Sequence, residues 1–305
     1  MSVVIPRSLH DAIIFLQGEA DGGEWLRVLP ARIDTFASSW CLVPEEVLIG
    51  GAMSCCVACT DAEGDLCVLK IPIDVATGRL EAAALTFWDE GGGVPTIKRI
   101  DDESGTILMR FVEGGAVGMA SVASFADLLG RLHGRDRLPA RNDFPDLESN
   151  IAMRTSWATD RFNIPEYSEG LIYLPTARRL ATRLLEDGEL YSKLCHGDLQ
   201  TKNILTSVSG AYVAIDPLPV VGDPHFDAAF WCVMQDSSVS IRSMLAEIGR
   251  RLPQFGVDRL NRWAWVIAAL ELRPYLAATR DRMLAYLDEQ HAWIRSTTLG
   301  QTSTD

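Results

Sequence analysis

No apolar run in the sequence approaches the ~20 residues that cross a bilayer, so a membrane-spanning protein is not expected. Basic residues are in short supply: 28 Lys and Arg stand against 41 Asp and Glu, a net charge of −13. A nucleic-acid partner needs a basic face, so that class of partner is set aside. Cysteine is present but has no pairing pattern. Seven is an odd count, and Cys55, Cys56, Cys59, Cys67, Cys195 and Cys232 sit in apolar or strand-like runs. Free buried thiols in a reducing compartment account for them better than disulfides do. Cys55-Cys56 with Cys59 lacks the second Cys/His pair that would complete a zinc knuckle. Internal repeats and low-complexity tracts are missing too. The first twenty residues hold a short apolar patch and an early acid, so no signal peptide is expected and the cytoplasm is the default compartment.

What remains is the composition of an ordinary globular protein: 305 residues, 48% hydrophobic and 23% charged. That length suits one large or two modest domains. Residues 1–46 read as a helical segment, with Trp25, Leu26, Leu29, Ile33, Phe36 and Trp40 at amphipathic spacing. Gly22-Gly23 is expected to break the chain, and Pro30 to force a turn between a first helix and a longer second one. From Val47 the texture changes to strands. Met53 to Thr60 and Leu66 to Ile71 flank a turn at Asp61–Asp65, a helix from Arg79 to Trp88 follows, and strands at Thr96–Ile100 and Thr106–Val112 lead to a hinge at Glu113-Gly114-Gly115. Beyond residue 113 the chain is mainly helical, with segments at 121–132, 151–160, 175–187, 225–234, 241–252, 258–272 and 277–294 and a hairpin near 204–215. His133 ends the first of these, where a His can meet helix carbonyls.

The chemistry concentrates in LCHGDLQTKNILTSVSGAYVAIDPLPVVGDPHFD, residues 194–227. His196-Gly197-Asp198 precedes Asn203, then Asp216, Asp223 and Asp227. A carboxylate on a loop, an Asn just after it and a second carboxylate beyond a hairpin suit phosphoryl transfer. One acid orients an acceptor hydroxyl, while the Asn and the other acid hold Mg2+ against a nucleoside triphosphate. Lys70, late in an apolar strand, suits the α/β-phosphates, and Glu81 suits a partner for that Lys. Gly50-Gly51 is a candidate phosphate contact but lacks the spaced glycines of a strong phosphate loop.

HGD-x4-N followed by IDP and GDPxxD, in that order, resembles the aminoglycoside phosphotransferases. The likeness is closest to the streptomycin 6-phosphotransferase and hydroxyurea kinase branch. It is carried by GGEWLRVLPARIDTFASSWCL (22–42), VLKIP (68–72), LEAAALTFWDEGGGV (80–94), HGDLQTKNIL (196–205) and IDPLPVVGDPHFD (215–227). The resemblance implies an α+β, bilobal, protein-kinase-like fold, with a small nucleotide-binding lobe at 47–113 and a helical lobe at 114–305. It implies Asp198 as catalytic base, His196 as support for the catalytic loop, Asn203 and Asp216 as Mg2+ ligands, and Lys70 with Glu81 at the phosphates. Adenine would meet backbone from Arg110 through Val112 to Glu113, Asp227 would tie the loop down, and Asp223 would support it. Gly197 stands where protein kinases carry the Arg that reads a phosphorylated activation loop, and only Pro217–Gly222 separates Asp216 from Asp223, so regulation by phosphorylation is not expected.

The acceptor is expected to be a small cationic or hydroxylated compound, with ATP or GTP as donor and the chain acting as a monomer. Asp160, Glu166, Glu271, Asp281 and Asp288 are acids available to an acceptor pocket, and Asp160 and Glu271 are the chosen candidates; guanidinium groups of streptomycin would pair with such carboxylates. A kinase of the same fold for hydroxyurea or a metabolite is the alternative. A non-catalytic nucleotide-binding regulator is disfavoured, because Lys70, Asp198, Asn203 and Asp216 are all present.

Overall fold

A computed structural model of the chain describes residues 3–49, 53–117, 121–134, 138–139, 143–187, 192–235, 237–273 and 277–299. The chain divides into two compact units, Met1–Glu113 and Gly114–Asp305.

The first unit opens with α1, Arg7–Trp40. Its interruption falls at Gly18, where φ 79 and ψ 167 leave the helical region, and not at Gly22-Gly23 or Pro30. Gly18 alone can adopt that backbone without cost. Gly22 is instead packed: a Cβ there would lie 3.1 Å from the Ile13 carbonyl oxygen. Pro30 sits inside the helix on an exposed position, where water can take up the carbonyl that a proline leaves without a donor. The strands are β1 (Val43–Val47), β2 (Ser54–Thr60), β3 (Leu66–Pro72), β4 (Ile97–Asp101) and β5 (Thr106–Arg110), in the antiparallel order β1-β2-β3-β5-β4. Helix α2, Val75–Asp89, enters between β3 and β4, capped by Asp74, whose carboxylate accepts from the Thr77 amide at 2.7 Å.

Trp25, Leu29 and Ile33 of α1 share one apolar cluster with Cys55, Val57 and Cys59 of β2 and Cys67, Leu69 and Ile71 of β3. The Trp25 indole donates to the Pro72 carbonyl at 3.2 Å. Helix α1 is therefore built into the first unit's core. Burial pushes the Cys55 and Cys59 thiols up to about 12, as suits inert core thiols.

The second unit carries a β-ribbon of β6 (Gly114–Ala116), β8 (Ile204–Ser207) and β9 (Tyr212–Ala214), and a pair formed by β7 (Lys193–Cys195) and β10 (Val220–Gly222). Its helices are α3 (Val122–His133), α4 (Leu147–Phe162), α5 (Leu174–Glu186), α6 (His225–Met234), α7 (Ile241–Arg251), α8 (Val257–Glu271) and α9 (Ala277–Leu299), with a 3-10 helix at Pro165–Ile172 that the sequence pattern did not suggest. Helix α4 begins four residues before the expected Ile151, because Asp146 caps it by accepting from the Ser149 amide at 2.7 Å. The apolar α6 stacks Trp231 on Phe125 of α3, ring centres 3.9 Å apart, and meets Trp263 of α8 edge-on through Phe226. No helix among the described residues is long and apolar enough to cross a membrane.

Because Leu29 is fully buried against the β2–β3 face, Leu29→Ala is expected to lower the unfolding free energy by about 2–5 kcal/mol. Urea denaturation reads this directly; a loss under about 0.5 kcal/mol would show that α1 is not part of that core.

Candidate active site

In the first unit, Lys70 on β3 and Glu81 on α2 form an ion pair, Nζ to Oε1 2.6 Å, with both residues about 5% exposed. The pair depends on how closely α2 approaches its neighbours. A Cβ on Gly78 would lie 2.5 Å from Pro72 Cγ and 2.6 Å from the Gly105 carbonyl oxygen. A side chain at position 78 would push α2 outward, and Glu81, one turn on, would move with it. Arg110 closes β5 with its side chain exposed and its amide donated to Thr96 O at 2.8 Å, and the Phe111 amide goes to Leu66 O at 3.1 Å. Val112 follows as half-buried, non-strand backbone. Gly50 and Gly51 lie outside the described residues.

In the second unit, the residues between β7 and β8 form a loop held from three sides. From below, the wholly buried Asp227 of α6 accepts the His196 amide at 2.7 Å, the Gly197 amide at 2.9 Å and His133 Nε2 at 3.1 Å. Burial would raise the Asp227 carboxyl; the His133 hydrogen bond and charge, with the Gly197 amide, outweigh it and hold the carboxyl below its ordinary range. From the side, His196 Nε2 meets the Ile215 carbonyl at 3.0 Å and His196 Nδ1 accepts the Asp198 amide at 3.4 Å. Burial pushes the His196 imidazole below its ordinary value against the pull of Asp227 and Asp198, and the neutral ring with its proton on Nε2 satisfies both bonds. The Leu218 amide closes the third side on the His196 carbonyl at 2.9 Å.

Two backbone conformations shape this loop. Gly197 has φ +77, and a Cβ there would sit 2.0 Å from the Leu218 carbonyl oxygen, so no other residue fits. Asp216 has φ 54, a left-handed conformation that non-glycine residues rarely hold and that concentrates at functional sites.

The loop presents Asp198. Its carboxylate accepts from Gln200 Nε2 at 3.0 and 2.9 Å and from Asn203 Nδ2 at 2.9 Å, and Arg154 lies 3.6 Å from Oδ1. The side chain keeps 23% exposure, unlike the buried His196 and Asp227. Asn203 Nδ2 also donates to the Asp198 carbonyl at 2.8 Å, so the amide nitrogen is committed twice and Oδ1 is the group left for a hard cation. The Asn203 carbonyl accepts the Ile215 amide at 2.9 Å, which draws Asp216 to the same end of the β8–β9 hairpin. An amide oxygen and a carboxylate at one hairpin end are the oxygen donors that suit Mg2+.

Asp223 is 1% exposed and accepts from the His225 ring at 2.6 Å, Arg259 Nε at 2.6 Å and Trp263 Nε1 at 2.5 Å. It joins the start of α6 to α8, and His225, assigned no chemistry from the sequence, is part of that junction. Of the two acids chosen for an acceptor pocket, Glu271 does not face one. It is 1% exposed, with its carboxylate taken by Arg154 and Arg273. Asp160 is exposed on α4, six residues beyond Arg154. Asp288 accepts the Tyr173 hydroxyl at 2.6 Å and Asp281 accepts from Arg280 at 3.1 Å. Arg154 and Gln200 also meet Asp198, and neither was expected there from the sequence. Gln200 lies inside the HGDLQTKN run beside Asp198 and carried a local signal; Arg154 carried none. His133, Cys195 and Asp227 place three ligand-type atoms within 4.8 Å of one another. The Asp227 oxygens there are already engaged by two amides and an imidazole, so the trio reads as a buried polar core rather than a metal site.

A family model described as aminoglycoside/hydroxyurea antibiotic resistance kinase matches residues 39–271. The chain belongs to this family. It is therefore a kinase, a phosphotransferase that acts on a hydroxyl group of a small molecule. Among curated relatives, a streptomycin 6-kinase of Streptomyces griseus is 28% identical over 231 residues, covering 73% of this chain and 72% of that protein. A second streptomycin 6-kinase, from Streptomyces glaucescens, is 26% identical, covering 88% and 89%. A hydroxyurea phosphotransferase of Kitasatospora aureofaciens is 26% identical, covering 74% and 66%. Among solved structures, a choline/ethanolamine kinase family protein of Mesorhizobium loti overlays with a TM-score of 0.56 at 18% identity, covering 88% and 95%. A macrolide 2'-phosphotransferase of Brachybacterium faecium does so with a TM-score of 0.52 at 19% identity, covering 85% and 98%. These likenesses establish the kinase-like α+β fold that the sequence motifs implied.

The Asp223 junction gives a pH signature. Burial raises the Asp223 carboxyl, but the His225 hydrogen bond and the charges of His225 and Arg259, with the Trp263 donor, hold it below its ordinary range. A depressed carboxylate contributes stability above the unfolded-chain value of about 4 and loses it as pH falls through the folded-state value. The gap in unfolding free energy between wild type and Asp223→Asn is expected to narrow from pH 6 to pH 3 in denaturant titrations. A gap that stays constant over that window would contradict the charge-based role.

Proposed function

We propose that this kinase transfers the γ-phosphate of ATP, with Mg2+, to a hydroxyl of an aminoglycoside of the streptomycin class, and so confers resistance. The observation that carries the reading is Asp198: a part-exposed carboxylate, fixed by Gln200 and Asn203, on a loop anchored by the buried His196 and Asp227. In the proposed step, the acceptor hydroxyl passes its proton to Asp198 as its oxygen bonds to the γ-phosphorus, and the bond from that phosphorus to the β-phosphate oxygen breaks, leaving ADP. Asn203 Oδ1 and the Asp216 carboxylate would hold Mg2+, which when bound neutralises phosphate charge. Lys70, aimed by Glu81, would take the α/β-phosphates. With the Arg110 and Phe111 amides already committed, backbone at Val112 and Glu113 would meet adenine. Nucleotide use has support from the family and from a structural neighbour, the choline kinase LicA, solved with AMP.

The streptomycin class is supported by two relatives of that activity and by the net charge of −13, which favours approach of a cationic acceptor. Hydroxyurea is the second reading, on the strength of the relative from Kitasatospora aureofaciens. A coupled ADP-release assay with Mg-ATP across aminoglycosides, hydroxyurea and sugars separates the two. Streptomycin is expected to turn over, and Asp198→Ala to lower kcat by about 10²–10⁴-fold. No turnover of millimolar streptomycin would remove it as substrate, and a wild-type rate in Asp198→Ala would remove Asp198 as base.

A further inference from the structure

Arg154 is 4% exposed, in the middle of α4. Its Nε donates to Asn150 Oδ1, one turn back, at 2.8 Å. Its Nη1 donates to Glu271 at the end of α8, and its Nη2 donates to the Gly197 carbonyl at 2.8 Å. The guanidinium lies over the Phe230 ring of α6, 4.5 Å from its centre. A buried guanidinium is costly to desolvate, and an apolar pair often serves stability as well, so its retention needs a reason beyond stability. The Gly197 carbonyl supplies one. It belongs to the peptide bond that carries the Asp198 amide, and that amide goes to His196 Nδ1. One face of Gly197 is thus held by Asp227 through its N–H and the other by Arg154 through its C=O. The same guanidinium lies 3.6 Å from Asp198 Oδ1.

We infer that Arg154 is a positioning residue for the phosphoryl-transfer step: with Glu271 as its counter-charge, it fixes the peptide plane and the carboxylate of Asp198. The inference rests on Asp198 being the base. Planar, multi-donor geometry makes Arg the side chain for this task, since a Lys in its place could satisfy only part of the set. Glu271, expected from the sequence to face substrate, acquires its role here. Burial would raise its carboxyl, and the charges of Arg154 and Arg273 instead hold it below its ordinary range, so it stands ionised opposite the guanidinium.

The test compares wild type with Arg154→Met, Arg154→Lys and the double variant Arg154→Met/Glu271→Leu, using streptomycin and Mg-ATP in the ADP-release assay and hydrogen–deuterium exchange of peptides spanning 194–205. Misplacing a reacting group by about 1 Å costs about 10²-fold, so Arg154→Met is expected to lose kcat on that scale while the KM for ATP stays within about twofold. Arg154→Lys is expected to recover part of kcat. The double variant removes the buried acid that has lost the Arg154 charge and is expected to regain thermal stability without regaining kcat. Exchange is expected to rise in 194–205 in Arg154→Met. Wild-type kcat in Arg154→Met, kcat restored along with stability in the double variant, or unchanged exchange in 194–205 would each overturn the inference. If Asp198→Ala keeps full activity, the functional reading fails instead, and the exchange result still decides whether Arg154 holds the loop.

Discussion

The constraint on which the second unit's site depends is the buried carboxylate of Asp227. A carboxylate with no exposed surface must find hydrogen-bond donors for its oxygens, and Asp227 finds them in the amides of His196 and Gly197 and the ring of His133. This places the start of the loop on α6, the most apolar helix in the unit. Everything nearer the surface follows. His196 has its own carbonyl and ring committed to residues 215–218, and Asp198 is the point at which the chain first regains contact with solvent. A rigid loop with one accessible carboxylate fits preorganised phosphoryl transfer, in which positioning supplies much of the rate.

Left-handed backbone at Gly197 and Asp216 lets two segments meet at that loop. Between Asp216 and Asp223 the chain has six residues, and they are spent on the Leu218 bond to His196 and on the β10 pairing with β7. No length remains for a regulatory segment. The burial of Glu271 places that acid inside the unit, paired with Arg154 and Arg273.

Features written in consecutive residues were legible beforehand. Helix α6 runs over the expected His225–Met234, the β2–β3 hairpin turns at Asp61–Asp65, and Lys70 and Glu81 pair as their positions suggested. The helical interruption in α1 was misplaced, because Gly18, Gly22 and Pro30 look alike as breakers until packing shows that only Gly18 leaves the helical region. Asp146 lies before the expected helix at 151–160, though an acid before Leu147 is an N-cap pattern. The Arg154–Glu271 pair spans 117 residues and leaves no local periodicity to read. Glu271 looked like a surface acid in a helix, and its burial is decided by a partner on another element.

The central claim is that this chain joins phosphate to a small-molecule hydroxyl by way of Asp198. Phosphorus-31 NMR of a mixture of enzyme, Mg-ATP and streptomycin tests it most directly. The account predicts a new phosphomonoester resonance growing in step with ADP for the wild type, and neither above background for Asp198→Asn. ADP accompanied by inorganic phosphate alone, or an equal phosphomonoester signal from Asp198→Asn, would contradict it.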